Sequence, residues 1–253
     1  MLKMTLGSIA MKSPVLVGLV LVVVLLGTAR QVTAQDAATR YPSMAPVGQY
    51  LMNRNAEIAL ARSAAPPAIS NDASVMVLTR HGYEIAVQGK NGWVCMVGRA
   101  WGAMFDNPEF WNPRVRAAGC FNPAAARSVL PYDYKRAELV LAGHSKLEMI
   151  AAIKAAMEKR ELPALEQGAI CYMMSKSSYL TDSGDHDAPH LMFYQTGNDD
   201  AAWGANVTHS PVFAVSYWSM SPAAYPQLKA FPAISVFLIG AGEWSDGTLA
   251  PPM

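Results

Sequence analysis

The sequence predicts an α+β domain: a mostly antiparallel sheet, opened by an N-terminal three-stranded meander and continued by later strands, with one long packed helix. Three observations carry that expectation. Short runs between Tyr83 and Val97 alternate apolar and polar residues with the two-residue period of a half-buried strand. Four more apolar runs of strand length follow in the C-terminal half. Between the two groups lies one segment with clear helical spacing, Ser145 to Arg160. Strands on both sides of one helix, joined by hairpin-type turns, point to α+β rather than to a doubly wound parallel sheet.

The chain has 253 residues, 52% hydrophobic and 15% charged, which is enough apolar surface to bury a core and excludes a disordered chain. Only one long apolar run exists, so a polytopic membrane protein is excluded too. Twenty basic against nineteen acidic residues argue against a nucleic-acid binder driven by overall charge.

Residues 1–34 read as a secretory signal: Lys3 and Lys12 precede the apolar stretch Val15 to Ala29, and Val32-Thr33-Ala34 offers small residues for cleavage before Gln35. The stretch is short for a bilayer-spanning helix, although an uncleaved anchor is the competing reading. Cleavage removes Lys3, Lys12 and Arg30 and leaves a formal charge of −2 on a mature chain that is secreted or periplasmic, with no membrane contact after processing.

Residues 35–67 form a flexible start and a helix over Val47 to Arg62, stopped by Ala64-Ala65-Pro66-Pro67. The single α+β domain occupies 68–253. Its meander is Val75–Leu78, Tyr83–Val87 and Trp93–Val97, with the hairpin signal Asn91-Gly92 before the third strand. Residues 98–132, rich in aromatics and prolines, read as a long loop. Glu138–Ala142 reads as a strand, Ser145–Arg160 as the long helix ended by Leu162-Pro163. Ala169–Met174, Leu191–Tyr194, Val212–Tyr217 and Ile234–Ile239 read as the later strands.

Three cysteines in an exported chain leave one thiol over. Cys95 and Cys120 are the expected disulfide, because they sit near the two ends of the aromatic loop and would close it. Cys171, in an apolar run, reads as a small buried hydrophobe.

Three segments carry candidate chemistry. Gly143-His144-Ser145 between an apolar run and a helix looks like a nucleophile elbow, but Leu147 stands where that motif needs a second glycine. Ser145 with Glu148 is also a capping box, and that reading prevails. The loop Asp182 to His190 groups Asp185, His186, Asp187 and His190. With His209 as a further ligand, it could hold a transition metal such as zinc and support a hydrolase, against the plainer reading of a solvated turn.

The aromatic loop sets Trp101, Phe105 and Trp111 beside Arg114. Such walls suit a small molecule or glycan, although the same rings could simply anchor the loop. Two weaker matches, Tyr172-x-x-x-Lys176 and the sequon Asn206-Val207-Thr208, lack the context that would give them meaning.

The stretches Asn91-Gly92-Trp93-Val94-Cys95, Cys120-Phe121-Asn122-Pro123, Cys171-Tyr172-Met173-Met174-Ser175, Pro189-His190-Leu191-Met192-Phe193 and Trp244-Ser245-Asp246-Gly247-Thr248 resemble a set of uncharacterised exported bacterial proteins over residues 70–248. The resemblance implies export and a single domain, and brings no activity or cofactor. The resulting expectation is an exported, non-catalytic binding or interaction module whose partner is a small molecule, a glycan or a protein. The alternative is a metal-dependent hydrolase using the His186/His190 loop.

Overall fold

The computed structural model describes residues 40–183 and 188–251. The leader over 1–34, and Asp185, His186 and Asp187 of the acidic loop, lie outside the described residues. No helix among the described residues is long and apolar enough to cross a membrane.

Among the described residues, eight strands form one sheet in the order β2-β1-β3-β4-β5-β6-β8-β7. They are β1 (Ser74–Thr79), β2 (Gly82–Val87), β3 (Val94–Gly98), β4 (Ala117–Phe121), β5 (Ile170–Met173), β6 (His190–Thr196), β7 (Val212–Ser216) and β8 (Ile234–Gly240). All neighbours are antiparallel except β1 and β3, which run parallel with Ser74 opposite Val94. The expected meander is therefore corrected. β1 and β2 are a hairpin, but the chain then crosses the start of β1 and lays β3 on its other side. Backbone N–H groups of Lys90 and Asn91 donate to the Asp72 carbonyl, and Ser74 N–H donates to the Trp93 carbonyl, so the crossing is pinned.

The expectation of one long packed helix is also corrected. Among the described residues there are five α-helices: α1 (Arg54–Arg62), α2 (Pro67–Ser70), α3 (Pro123–Ser128), α4 (Leu130–Leu141) and α5 (Lys146–Glu158). The predicted helix over Val47–Arg62 is split: a 3-10 turn covers Val47–Gln49, and α1 starts afresh where the Asn53 side chain accepts from the N–H groups of Asn55 and Ala56. Asparagine competes for backbone donors in this way, which makes it a better cap than interior residue.

Glu138–Ala142 is not a strand but the end of α4 and its cap. A short apolar run cannot separate a strand from a buried helix end. Pro131, one of the prolines of the expected loop, lies in the first turn of α4, where a missing N–H costs nothing. Within the supposed loop 98–132, Asn122 caps α3 by accepting from Ala125 N–H at 2.9 Å. The Ser145–Glu148 capping box opens α5 as expected.

α1 lies over one face of the sheet, with Ala61, Ala64 and Ala65 against Val75, Val97 and Ala118. Against the opposite face, Ala125, Val129 and Leu130 of α3 and the start of α4 meet Met96, Phe121, Tyr194 and Val236. α5 packs against α4 and joins the largest cluster, built on Trp101, Phe105, Phe110, Tyr132, Ile150 and Trp218.

Cys95 and Cys120 form a disulfide and are directly opposed on β3 and β4. The bond thus staples two adjacent strands beneath α1, rather than merely closing a loop. Its 25-residue separation corresponds to about 3–4 kcal/mol of denatured-state constraint. The Cys95→Ala/Cys120→Ala double variant is therefore expected to melt roughly 10 °C lower. Differential scanning calorimetry reads this, and an unchanged midpoint would remove the structural role assigned to the bond.

Candidate functional site

The aromatic loop is largely interior. Trp101 and Phe105 are fully buried, Trp101 packing 4.8 Å from the ring of Tyr50 and Phe105 stacking 5.6 Å from Phe110. Trp111 meets Phe110 edge-on at 4.8 Å and retains only a sliver of surface. Arg114 is separate, its guanidinium 4.6 Å over the Tyr179 ring and 3.4 Å from the carboxylate of Asp182.

That carboxylate is a hub. It accepts from the hydroxyls of Tyr179 (2.7 Å) and Tyr41 (2.8 Å), from Asn112 Nδ2 (3.0 Å) and from Arg40. Burial alone would raise its pKa, but these hydrogen bonds outweigh burial and hold it at about 2. Residues 40–41 are thereby tied to the 179–182 segment.

The loop residues divide two spaces. Outside is a cleft of about 800 Å³, where Asp106, Asn107, Pro108 and Trp111 meet residues 41–44, the start of α5 and Tyr225. Its charges are mostly committed. The Asp106 carboxylate accepts from the N–H groups of Met220 and Ser221, both at 2.7 Å, and Glu148 accepts from Ser145 N–H at 2.7 Å. Lys146 is the exception. Its ammonium lies 4.4 Å over the Phe110 ring, and burial lowers its pKa to about 8, with Asp106 only partly opposing. Tyr41 and Tyr225 form partly exposed aromatic walls.

Inside, a cavity of about 300 Å³ lies between the sheet and α4. Trp101 and the 3-10 turn Ala100–Gly102 form part of its wall. Asp133 faces it from α4, and burial pushes that carboxyl up to about 6, the charge of Arg136 opposing only in part.

Arg136, fully buried one turn further on, donates from Nη1 to the carbonyls of Gly102 (2.9 Å) and Ala103 (2.7 Å). Its guanidinium is enclosed by the rings of Phe105 (4.7 Å), Tyr217 (5.3 Å) and Trp218 (5.7 Å). Its Nε and Nη2 have no hydrogen-bond partner among the described residues, nor has the buried Tyr217 hydroxyl.

A raised carboxyl pKa means the folded state binds a proton more tightly than the unfolded chain. Stability is therefore lost as pH rises from about 4 to 6, by about 3 kcal/mol for a shift from 3.8 to about 6. Asp133→Asn is expected to match wild type near pH 4 and to exceed it by up to that amount above pH 7. Urea unfolding at both pH values reads the difference, and a gap independent of pH would contradict the assignment.

The metal candidates are scattered or outside view. Among the described residues no group of three or more His, Cys, Asp or Glu could hold an ion. His190 opens β6, is buried, and has Nδ1 2.8 Å from the Ala188 carbonyl. His209 lies in the left-handed region at φ 63°, three residues before β7. His190 pairs with Gly240 and Val212 with Ile239, so both histidines are at one end of the sheet, flanking β8.

Asp133, Lys146 and Asp182 were missed as site residues. Asp133 and Arg136 carry a signal in their i,i+3 spacing, but it exists only once 130–141 is read as a helix. Comparison with protein-family models, with curated proteins and with solved structures finds no match.

Proposed function

We propose that the chain is an exported, non-catalytic binding module whose outer cleft takes a glycan bearing a carboxylate. The observation that supports this most is the convergence in one cleft of Lys146, whose ammonium has no ion pair among the described residues, with the aromatic walls Tyr41 and Tyr225. Aromatic faces complement sugar rings, and a partly desolvated ammonium complements a carboxylate. Export rests on the leader over 1–34 and fits the Cys95–Cys120 disulfide, since such bonds persist in oxidising compartments. N-terminal sequencing of the fractionated protein should find Gln35 first.

Binding is tested by titrating the mature protein with acidic and neutral oligosaccharides and following tryptophan fluorescence and amide chemical shifts. Acidic members should bind, and Lys146→Gln and Tyr225→Ala should each weaken binding about tenfold or more. A lysine is charged only below its pKa, so affinity should fall as pH passes about 8 rather than above 10. No response to any sugar, or binding indifferent to both substitutions, would remove the reading.

A further inference from the structure

The inner cavity holds a set of side chains that its apolar packing does not by itself explain. On β5 and β6 the register places Cys171 opposite Met192 and Met173 opposite His190. Directly opposed residues of an antiparallel pair share a face, and all four line the cavity. On β3, Met96 faces the same space and pairs with Gly119 of β4. A methyl group on Gly119 would stand 3.0 Å from the Cys171 sulfur, so the thiol leans into the gap that this glycine leaves beside Met96. Four sulfur-bearing side chains and one imidazole, from β3, β5 and β6, therefore line one cavity. Cys171 is the free cysteine, the other two being consumed by the disulfide on the opposite face.

His190 is oriented as a ligand. Its Nδ1 lies 2.8 Å from the half-buried Ala188 carbonyl, which leaves Nε2 as the ring's available nitrogen. Metal-ligating histidines are held in this way, the second nitrogen donating to a backbone carbonyl or carboxylate. The donor set decides the ion. Thioethers are poor ligands for zinc and harder cations, and good ones for soft ions such as Cu(I). Asp133 adds a negative charge at the wall, while Arg136 is shut behind aromatic rings and Arg99 is paired to Glu57 at 2.8 Å. The cavity thus favours a cation.

We infer that this cavity is a site for a soft monovalent metal ion, Cu(I) or its analogue Ag(I), held by Cys171 Sγ, Met173 Sδ, Met192 Sδ and His190 Nε2, with Met96 beside them. Binding changes no oxidation state: the metal–sulfur bond to Cys171 forms as the thiol gives up its proton to solvent. The inference goes beyond the glycan reading and is independent of it, because neither Lys146 nor Tyr225 lines this cavity.

The test uses the mature protein with its disulfide intact, titrated anaerobically with Cu(I) against a chromophoric chelator, and separately with Ag(I). About one equivalent should be retained, and X-ray absorption should show sulfur neighbours with one nitrogen. Met173→Leu/Met192→Leu conserves volume, so the metal-free protein should keep its melting temperature while Cu(I) affinity falls about 100-fold or more. His190→Ala should weaken binding similarly, and this Met pair decides the matter if a Cys171 variant does not fold. No retained metal, equal retention by the Met→Leu pair, or zinc held more tightly than Cu(I) would overturn the assignment.

Discussion

Gly89→Ala is expected to leave little folded protein. A Cβ on this residue would stand 2.2 Å from Ser74 N, 2.3 Å from the Ala73 carbonyl carbon and 2.6 Å from the Asp72 carbonyl oxygen, all of them backbone atoms. Neither strand of the crossing can give way. Gly89 N–H donates to Ser74 Oγ at 3.0 Å, Lys90 N–H to the Asp72 carbonyl at 2.9 Å, and Asn91 Nδ2 to the Ile69 carbonyl at 2.8 Å. Relief would require parting β3 from β1, and β3 carries Met96 and half of the disulfide. A cost above about 4 kcal/mol follows, at the extreme of single substitutions.

Gly92→Ala is the control. It sits in the same segment at φ +77°, where the nearest obstacle is the Pro123 side chain at 3.1 Å, and it should cost about 1 kcal/mol plus a small adjustment. Soluble yield and urea unfolding of the two variants separate the cases. A soluble Gly89→Ala protein within about 1 kcal/mol of wild type would mean that the crossing is looser than described.

That glycine also marks where sequence reading stops. Gly89-Lys90-Asn91-Gly92 carries a hairpin signal, and seven of the eight strands are legible from apolar runs or from apolar–polar alternation. Local turn chemistry, however, is silent on which side of β1 the next strand lies. The choice is made by the close approach of Gly89 to residues 72–74, a contact across the chain with no local signature. β4 was missed because Ala117-Ala118-Gly119 lacks the branched and aromatic residues that mark strands. Its small residues are there to admit Cys171 and the helix above.

α4 was missed for a different reason: its inward face includes Asp133 and Arg136, which break the apolar period of an amphipathic helix. Buried charge is what hides an element from a pattern search, and here it is what lines the cavity. His190 and Met192 were visible as residues, but their company with Cys171 and Met173 is a matter of strand register. The aromatic loop reads in the sequence as a ligand-binding segment or as an anchored loop; its rings build the core, and the cleft is finished by residues far along the chain, Lys146 and Tyr225.

Arg99→Met is expected to cost about 3–5 kcal/mol, and adding Glu57→Gln should restore part of the loss. Glu57 and Arg99 are both fully buried and paired at 2.8 Å. Arg99 also donates to the carbonyls of Tyr50 (2.7 Å) and Val97, and Glu57 Oε1 accepts from Leu78 N–H at 3.1 Å. The pair therefore joins α1, β1, the end of β3 and the N-terminal turn at one point. Removing the guanidinium strands a carboxylate away from water, and one of its oxygens, Oε2, already has no hydrogen-bond partner among the described residues.

Converting Glu57 to the neutral amide then removes the stranded charge and keeps an oxygen for Leu78 N–H. The second substitution should thus stabilise the first, a sign that simple loss of contacts cannot produce. The consequence reaches the cavity, because Arg99 leads directly into the 3-10 turn whose carbonyls hold Arg136 and whose backbone lies beside Asp133. Urea unfolding of the two single variants and the double gives the coupling. A double variant no more stable than Arg99→Met would mean that packing around the pair, rather than its charge, holds this corner together.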